Sequence, residues 1–245
     1  MHFLGFGWRK EALRRRFYPP AFRGMYDRLQ DAIDQYARPG HVVLDAGCGS
    51  GRVFQHRLAG RVRRVVGVDV TDEPRGNENI DDALKGDLAR LPLCAETFDL
   101  IVVSHVAEHL TQPEAVFREL ARVLRPGGRL LLLTPNRWHY VPLVARLAPH
   151  RLHVALNRWR GVDARDIFPT VYRANTAGRL RSLATDAGLT VERLERFETE
   201  PEYLAFHVLP YALGVAYERT VNRIDALAAL RVNLLLVARK AQTDN

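Results

Sequence analysis

The chain has 245 residues, 47% of them hydrophobic and 26% charged, close to ordinary globular usage. Folding at this length buries roughly 70–75% of the unfolded surface, which excludes intrinsic disorder, a collagen-like fibre and a disulfide-stapled mini-scaffold. The net charge of +8 suggests an acidic partner, yet only Lys10, Lys85 and Lys240 are lysines among the 36 basic residues, and the arginines are spread along the chain. A coding bias explains that pattern as readily as a nucleic-acid footprint.

Cys48 and Cys94 form neither a disulfide framework nor a metal-ligand spacing, so a reducing cytoplasm is the expected compartment. Met1–Trp8 is apolar but short, and its charges follow the apolar part, so no secretory leader is expected. The longest apolar stretch, Tyr203–Tyr217, falls short of the ~20 residues a membrane span needs and contains His207 and Pro210.

Along the chain, Phe22, Tyr26, Leu29, Ile33 and Tyr36 recur at helical intervals until Pro39-Gly40 stops them. Val42–Leu44 reads as the first strand, running into a turn with Gly47, Gly49 and Gly51. A helix is expected from about Arg52 to Ala59, then a strand at Val65–Val68 ending on Asp69. Asp99–Val103 is apolar at successive positions, as in a strand buried on both faces. Thr111-Gln112-Pro113-Glu114 has the form of a capping box, with proline near the first helical position. The helix it opens should end near Leu124 and be closed by Arg125-Pro126-Gly127-Gly128, before a strand at Arg129–Thr134.

This alternation predicts an α/β fold with a mainly parallel sheet covered on both faces. After Pro135 the rhythm changes. Residues 136–175 carry aromatics, histidines and arginines without a clean period, as does a second insertion at 198–230. Between them, Asn175 or Thr176 can cap a helix ending near Gly188, and Leu189–Phe197 alternates like a strand. Arg231–Ala238 reads as the last strand. We expect one domain over 1–245: a helical arm at 1–39, a ligand-binding half at 40–135, two lid insertions and a last strand at 231–240.

The informative motif is Asp45-Ala46-Gly47-Cys48-Gly49-Ser50-Gly51. Glycine is needed where the backbone turns sharply between strand and helix and where a ligand must lie against it, and in an open α/β sheet ligands sit at this strand end. A dinucleotide fingerprint would need its third glycine where Arg52 stands, and no P-loop Gly-Lys-Ser/Thr follows. Asp69 ends the second strand, where a carboxylate can accept the hydroxyls of a ribose. Asp87, in Gly86-Asp87-Leu88, lies in the next loop, placed to meet an adenine amino group.

Val43–Gly51, Gly67-Val68-Asp69, Gly86-Asp87-Leu88, Phe98–Ile101 and Leu124–Gly128 together resemble the successive motifs of class I S-adenosylmethionine-dependent methyltransferases. Glu108-His109-Leu110 resembles their small-molecule and lipid-quinone branch. The resemblance covers about residues 40–135 and implies a Rossmann-like, doubly wound, seven-stranded sheet whose last strand is antiparallel. It further implies S-adenosylmethionine as cofactor, with Asp45, Gly47, Gly49 and Gly51 at its methionine end and Asp69 on the ribose. Val70 would lie against the adenine, Asp87 and Leu88 at the adenine edge, and Ser104 at the floor near the sulfonium. Cys48 is usual at its place and is expected to pack rather than react.

A sulfonium is already electrophilic, so alignment of the nucleophile can account for much of the rate. An acceptor hydroxyl still needs help losing its proton, for which a histidine suits. The candidates are His105, His139 and His109, although His109 sits where a backbone hydrogen bond would explain it equally well. No metal is implied, because the histidines lack ligand spacing. Arg137, Trp138 and Tyr140, with Arg146, Arg151, Arg158, Trp159 and Arg160 beyond them, are candidates for holding an anionic group beside an apolar body.

The leading expectation is methyl transfer to oxygen, nitrogen or carbon of a small metabolite, lipid-like or glycan-linked acceptor. An RNA methyltransferase is favoured only by charge: Ser104-His105-Val106-Ala107 lacks the Asn/Asp-Pro-Pro-aromatic signature of adenine-amino methylation. A non-catalytic cofactor-binding partner is the third reading. A peripheral membrane contact by Tyr203–Tyr217 ranks below a buried helix or a dimer contact.

Overall fold

The computed structural model describes residues 12, 14–51, 56–147 and 169–242. One sheet organises them, with strands β1 (Val42–Ala46), β2 (Arg64–Asp69), β3 (Asp82–Lys85), β4 (Phe98–Ser104), β5 (Leu124–Pro135), β6 (Leu189–Phe197) and β7 (Asn233–Lys240) in the order β3-β2-β1-β4-β5-β7-β6. The pairs among β1 to β5 are parallel, and β7 runs antiparallel to both β5 and β6. The expected seven-stranded Rossmann-like sheet with an antiparallel last strand is therefore present. Its order reverses between β1 and β4, and the crevice outside their carboxyl ends is where such sheets bind ligands.

The central strands are apolar on both faces because helices cover both. In β4, Ile101 and Val103 point to one side, where they meet Val116, Phe117 and Leu120 of helix α2 (Pro113–Val123) and Leu180 and Leu183 of a later helix, Ala177–Asp186. Leu100 and Val102 point to the other side, against Leu29 and Ile33 of helix α1 (Met25–Tyr36). This two-residue alternation around a buried strand is the period of the pleat. Helix α3 (Tyr140–Leu147) follows β5, the helix at Ala177–Asp186 is α4, and α5 (Val208–Arg223) precedes β7.

Several boundaries differ from the sequence reading for local reasons. Helix α1 starts at Met25 because Asp27 reaches back to the Gly24 N–H, leaving Phe22 outside. The helix expected from Arg52 to Ala59 is not formed over its described part. Residues 57–60 are turn, where Gln30 takes the Arg57 N–H and Leu58 is fully buried, while 52–55 lie outside the described residues. Gln112, not Thr111, occupies the cap of α2 and makes no side-chain cap bond. The following helix follows expectation: Thr176 Oγ1 accepts from Arg179 N at 3.1 Å. Strand β3 had no sequence signal, being four residues long and half exposed at the sheet edge. The insertion at 136–175 contributes α3, and its residues 148–168 lie outside the described residues.

Candidate active site

The glycine turn leaves β1 against the end of β4. Gly47, Gly49 and Gly51 have φ of 79°, 48° and 71°, left-handed values that side chains with a Cβ rarely adopt. A Cβ on Gly47 would collide with Val106 Cγ2, and one on Gly51 with Asn77 Oδ1. The turn is braced from outside. Gly47 N donates to Val68 O at 2.7 Å, and Asn77 Nδ2 donates to the carbonyls of Cys48 and Gly49 at 3.3 and 3.4 Å. Cys48 packs beneath it, its Sγ 2.7 Å from where a Cβ on Gly67 would stand. Burial, then the charges of Asp45 and Asp69, push its thiol well up, which suits a packing residue and not a nucleophile.

The acids stand at successive strand ends. Asp45 is buried and its Oδ2 lies 2.8 Å from His56 Nε2. Burial works against the charged His56 imidazole, but the hydrogen bond and charge of Asp45 outweigh it and raise it. Asp69 Oδ2 accepts from Gly49 N at 3.0 Å, and its Oδ1 accepts from Thr71 N and Oγ1 at 3.0 and 2.9 Å. A carboxylate offers about four acceptor sites, so a ribose diol would share Asp69 with the Thr71 hydroxyl. Val70 beside it is 55% exposed, an apolar shelf next to the acid. Asp87 is exposed with Oδ1 bound to Ala89 N, whereas Leu88 faces the core and could meet a ligand only through its backbone. Ser104 Oγ is buried at the end of β4 without a hydrogen-bond partner among the described residues.

The next residue is His105, at φ 55°. A non-glycine residue there costs about 1–2 kcal/mol and persists where its surroundings over-determine it. The determinants are visible: His105 N donates to Leu133 O at 2.9 Å, and Nδ1 lies 3.3 Å from Glu108 Oε1. Tyr26 of α1 meets the His105 ring edge-on, with centroids 5.7 Å apart. Burial first, then the charges of Glu108 and Glu202, push the Tyr26 phenol up to about 12. Glu108 and Tyr203 also bear on Tyr172, raised first by burial. His105 thus has the Glu108 carboxylate on one side and the Tyr26 ring against it.

The other candidates sit elsewhere. His109 Nδ1 lies 3.0 Å from Pro169 O, which tethers the chain returning at 169. His139 is 2% exposed, stacked on Tyr140 at 4.0 Å, with Nε2 3.4 Å from Glu198 Oε2. Burial alone drives its imidazole down to about 4, while burial pushes the Glu198 carboxyl up to about 8. Arg137 covers the exposed Trp138 ring at 5.3 Å, and Tyr140 packs edge-on against Tyr217. Arg151, Arg158, Trp159 and Arg160 lie outside the described residues, as does the Arg146 side chain. Among the described residues no cluster of three histidine, cysteine or acidic side chains is placed to hold a metal, and no helix is long and apolar enough to cross a membrane.

A methyltransferase-domain family matches residues 44–132, the span from the glycine turn to the middle of β5. The ubiquinone/menaquinone biosynthesis C-methyltransferase of an Enterobacter species is 30% identical over 188 residues, covering 69% of this chain and 74% of that protein. The chain belongs to the S-adenosylmethionine-dependent methyltransferases. The malonyl-acyl-carrier-protein O-methyltransferase of Yersinia pestis is 38% identical over 100 residues, or 39% of this chain and 37% of that one. Among solved structures, an S-adenosylmethionine-dependent methyltransferase from Archaeoglobus fulgidus shares the fold at a TM-score of 0.56 and 16% identity, covering 94% of this chain and 99% of that one. The chain spans 37 to 60% of the length of four curated relatives that it matches.

Membership in this family fits the crevice. The turn with no room for a Cβ at Gly47 or Gly51, the acid at the end of β2 and the buried Ser104 hydroxyl, which has no partner among the described residues, are compatible with a nucleoside that carries an amino-acid tail. The family match ends at residue 132, before Thr134, Tyr172 and α5. The roles of Glu108 and Tyr26 beside His105, and of Asn77 in bracing the turn, were missed by sequence reasoning. Glu108 stood in the Glu108-His109-Leu110 motif, three residues after His105, and that spacing was the signal for its role.

Proposed function

We propose that this chain transfers the methyl group of S-adenosylmethionine to oxygen, nitrogen or carbon of a small metabolite, lipid-like or glycan-linked acceptor. The carrying observation is the glycine turn at the point where strand order reverses, flanked by carboxylates at the ends of β1 and β2 and after β3. Asp45, Gly47, Gly49 and Gly51 would hold the methionine end, with His56 bound to one oxygen of Asp45. Asp69 and Val70 would hold the ribose and adenine, Asp87 and the Leu88 backbone the adenine edge, and Ser104 the floor. Bound there, the cofactor supplies an electrophilic methyl on a sulfonium and leaves as S-adenosylhomocysteine. The chain's own task is to align the acceptor and exclude water.

The acceptor would enter over His105, between Tyr26, Tyr172 and Tyr203. The relatives' names span carbon and oxygen acceptors, in keeping with a shared cofactor half and divergent lids. Cys48 and Cys94 are both free thiols, which suits the cytoplasm. Calorimetric titration with S-adenosylhomocysteine tests the reading. Micromolar binding that Asp69→Ala weakens at least tenfold, about 1.4 kcal/mol, is the expected result. No binding to folded wild-type protein would overturn it.

A further inference from the structure

His105 does not stand alone. Its Nδ1 lies 3.3 Å from Glu108 Oε1, while the other oxygen, Oε2, accepts from Thr134 Oγ1 at 3.0 Å. Thr134 Oγ1 in turn accepts from Asn175 Nδ2 at 2.6 Å, so the threonine hydrogen is directed at Glu108. Asn175 is fixed by a second bond, Nδ2 to Pro135 O at 2.9 Å. Glu108 is 5% exposed, and Thr134 and Asn175 are fully buried. A buried chain of this kind restricts how Glu108 can turn, because losing the bond from Thr134 would leave a carboxylate oxygen less satisfied in a low-dielectric interior; Asn175 Oδ1 is buried without a partner among the described residues.

Burial works to neutralise the Glu108 carboxyl, but the hydrogen bond and charge of His105 prevail and keep it below the ordinary carboxylate range. An ionised carboxylate only accepts hydrogen bonds. The hydrogen between the two groups, 3.3 Å apart, must therefore belong to Nδ1, and whenever the ring is neutral its lone pair lies on Nε2. That Nε2 has no hydrogen-bond partner among the described residues. Nε2 is itself buried, while the His105 side chain as a whole is 27% exposed and Tyr26 lies edge-on to its ring.

We propose that Glu108, held by Thr134 and Asn175, is a positioning residue that fixes His105 in the tautomer with a basic Nε2, ready to take a proton from the acceptor. The inference rests on the methyl-transfer reading above for its purpose, though the tautomer itself can be measured independently. As the acceptor oxygen bonds to the methyl carbon and the former bond pair stays on sulfur, His105 Nε2 takes the oxygen's proton and later returns it to water. The device suits an acceptor whose nucleophilic atom arrives protonated, such as a hydroxyl or phenol. It has no use for a carboxylate, which arrives ionised.

The test is long-range proton–nitrogen correlation on the full chain labelled with nitrogen-15. Spectra are taken with and without saturating S-adenosylhomocysteine at about pH 9, above the ordinary imidazole range. His105→Gln assigns the signal by its loss. We expect wild-type His105 to carry its hydrogen on Nδ1. Glu108→Gln, whose amide oxygen still accepts, should retain that form, and Glu108→Ala should lose at least half of it. Wild-type protein with the hydrogen on Nε2 would overturn the proposal whatever the variants do, and so would a folded Glu108→Ala with an unchanged tautomer. Absent S-adenosylhomocysteine binding would instead strike at the cofactor reading, because the tautomer is read in both states.

Discussion

Replacing Gly47 by alanine probes the contact on which the crevice depends, and two separable costs are involved. At φ 79° an alanine occupies left-handed backbone, costing about 1–2 kcal/mol. Its Cβ would collide with Val106 Cγ2 and stand 3.2 Å from Cγ1, and forcing a methyl into packed surroundings costs about 1–3 kcal/mol more. Gly47→Ala should therefore destabilise by about 2–5 kcal/mol. The second cost belongs to one neighbour, so Val106→Ala should relieve it. Urea unfolding of the wild type, both single variants and the double variant closes the cycle. The double variant should be more stable than the sum of the singles predicts, by about 1–2 kcal/mol. Additivity within about 0.5 kcal/mol would refute the claim that the turn is wedged against the end of β4.

Asn77→Ala removes the donor to the Cys48 and Gly49 carbonyls from a residue that is 6% exposed. It should cost about 1–2 kcal/mol in urea unfolding and weaken S-adenosylhomocysteine; unchanged affinity in calorimetry would show that Asn77 does not shape the turn. The Glu198–His139 pair predicts a pH dependence. Folding raises Glu198 from 4.5 to about 8 and lowers His139 from 6.5 to about 4. Between 4.5 and 6.5 the two oppose, since folding retains a proton on one and sheds one from the other. From 6.5 to about 8 only Glu198 acts, and the folded state holds the extra proton. Stability should then fall as pH rises, by on the order of 1–2 kcal/mol. Glu198→Gln should flatten that limb in urea midpoints, and a limb parallel to wild type would refute the assignment.

What was legible in the sequence follows from the range of the forces involved. Strands β1, β2, β4 and β5 are near-continuous apolar runs, and β6 matched at both ends because its alternation is local. The glycine turn was legible because backbone that needs left-handed φ restricts the residue type at that very position. The stretch at 57–60 failed because its fate depends on Gln30, 27 residues earlier, which takes the Arg57 N–H. Thr111 failed because a proline two residues on made Gln112 the boundary. On the acceptor side, Tyr26 reaches His105 from α1 and Asn175 reaches Thr134 across 41 residues. Such meetings are products of topology, and no spacing along the chain announces them.

Three of the described arginines are paired away from the crevice. Arg125 holds Asp99 through two contacts of 2.9 and 2.8 Å, and Asp99 also accepts from Val42 N at the start of β1. Arg129 pairs with Glu192 at 2.8 and 3.0 Å, and Arg64 pairs with Asp82. Residues 42, 64, 82 and 99 lie at or near the amino ends of their strands, and Arg129 is in register with Leu100 at the same edge of the sheet, opposite the glycine turn. These arginines close the far rim, where exposed pairs contribute about 0–1 kcal/mol each, and they offer little to a polyanion at the site. The surroundings of His105 have the reverse character: Glu108 lies 3.3 Å from its ring, and the charge of Glu108 bears on both Tyr26 and Tyr172. On the proposal above, a carboxylate there would repel an anionic nucleophile on approach, whereas a neutral hydroxyl would enter and surrender its proton to His105 as the new bond forms. The net charge of the chain and the chemistry of its acceptor are thus independent quantities, and the second has to be read from the surroundings of His105.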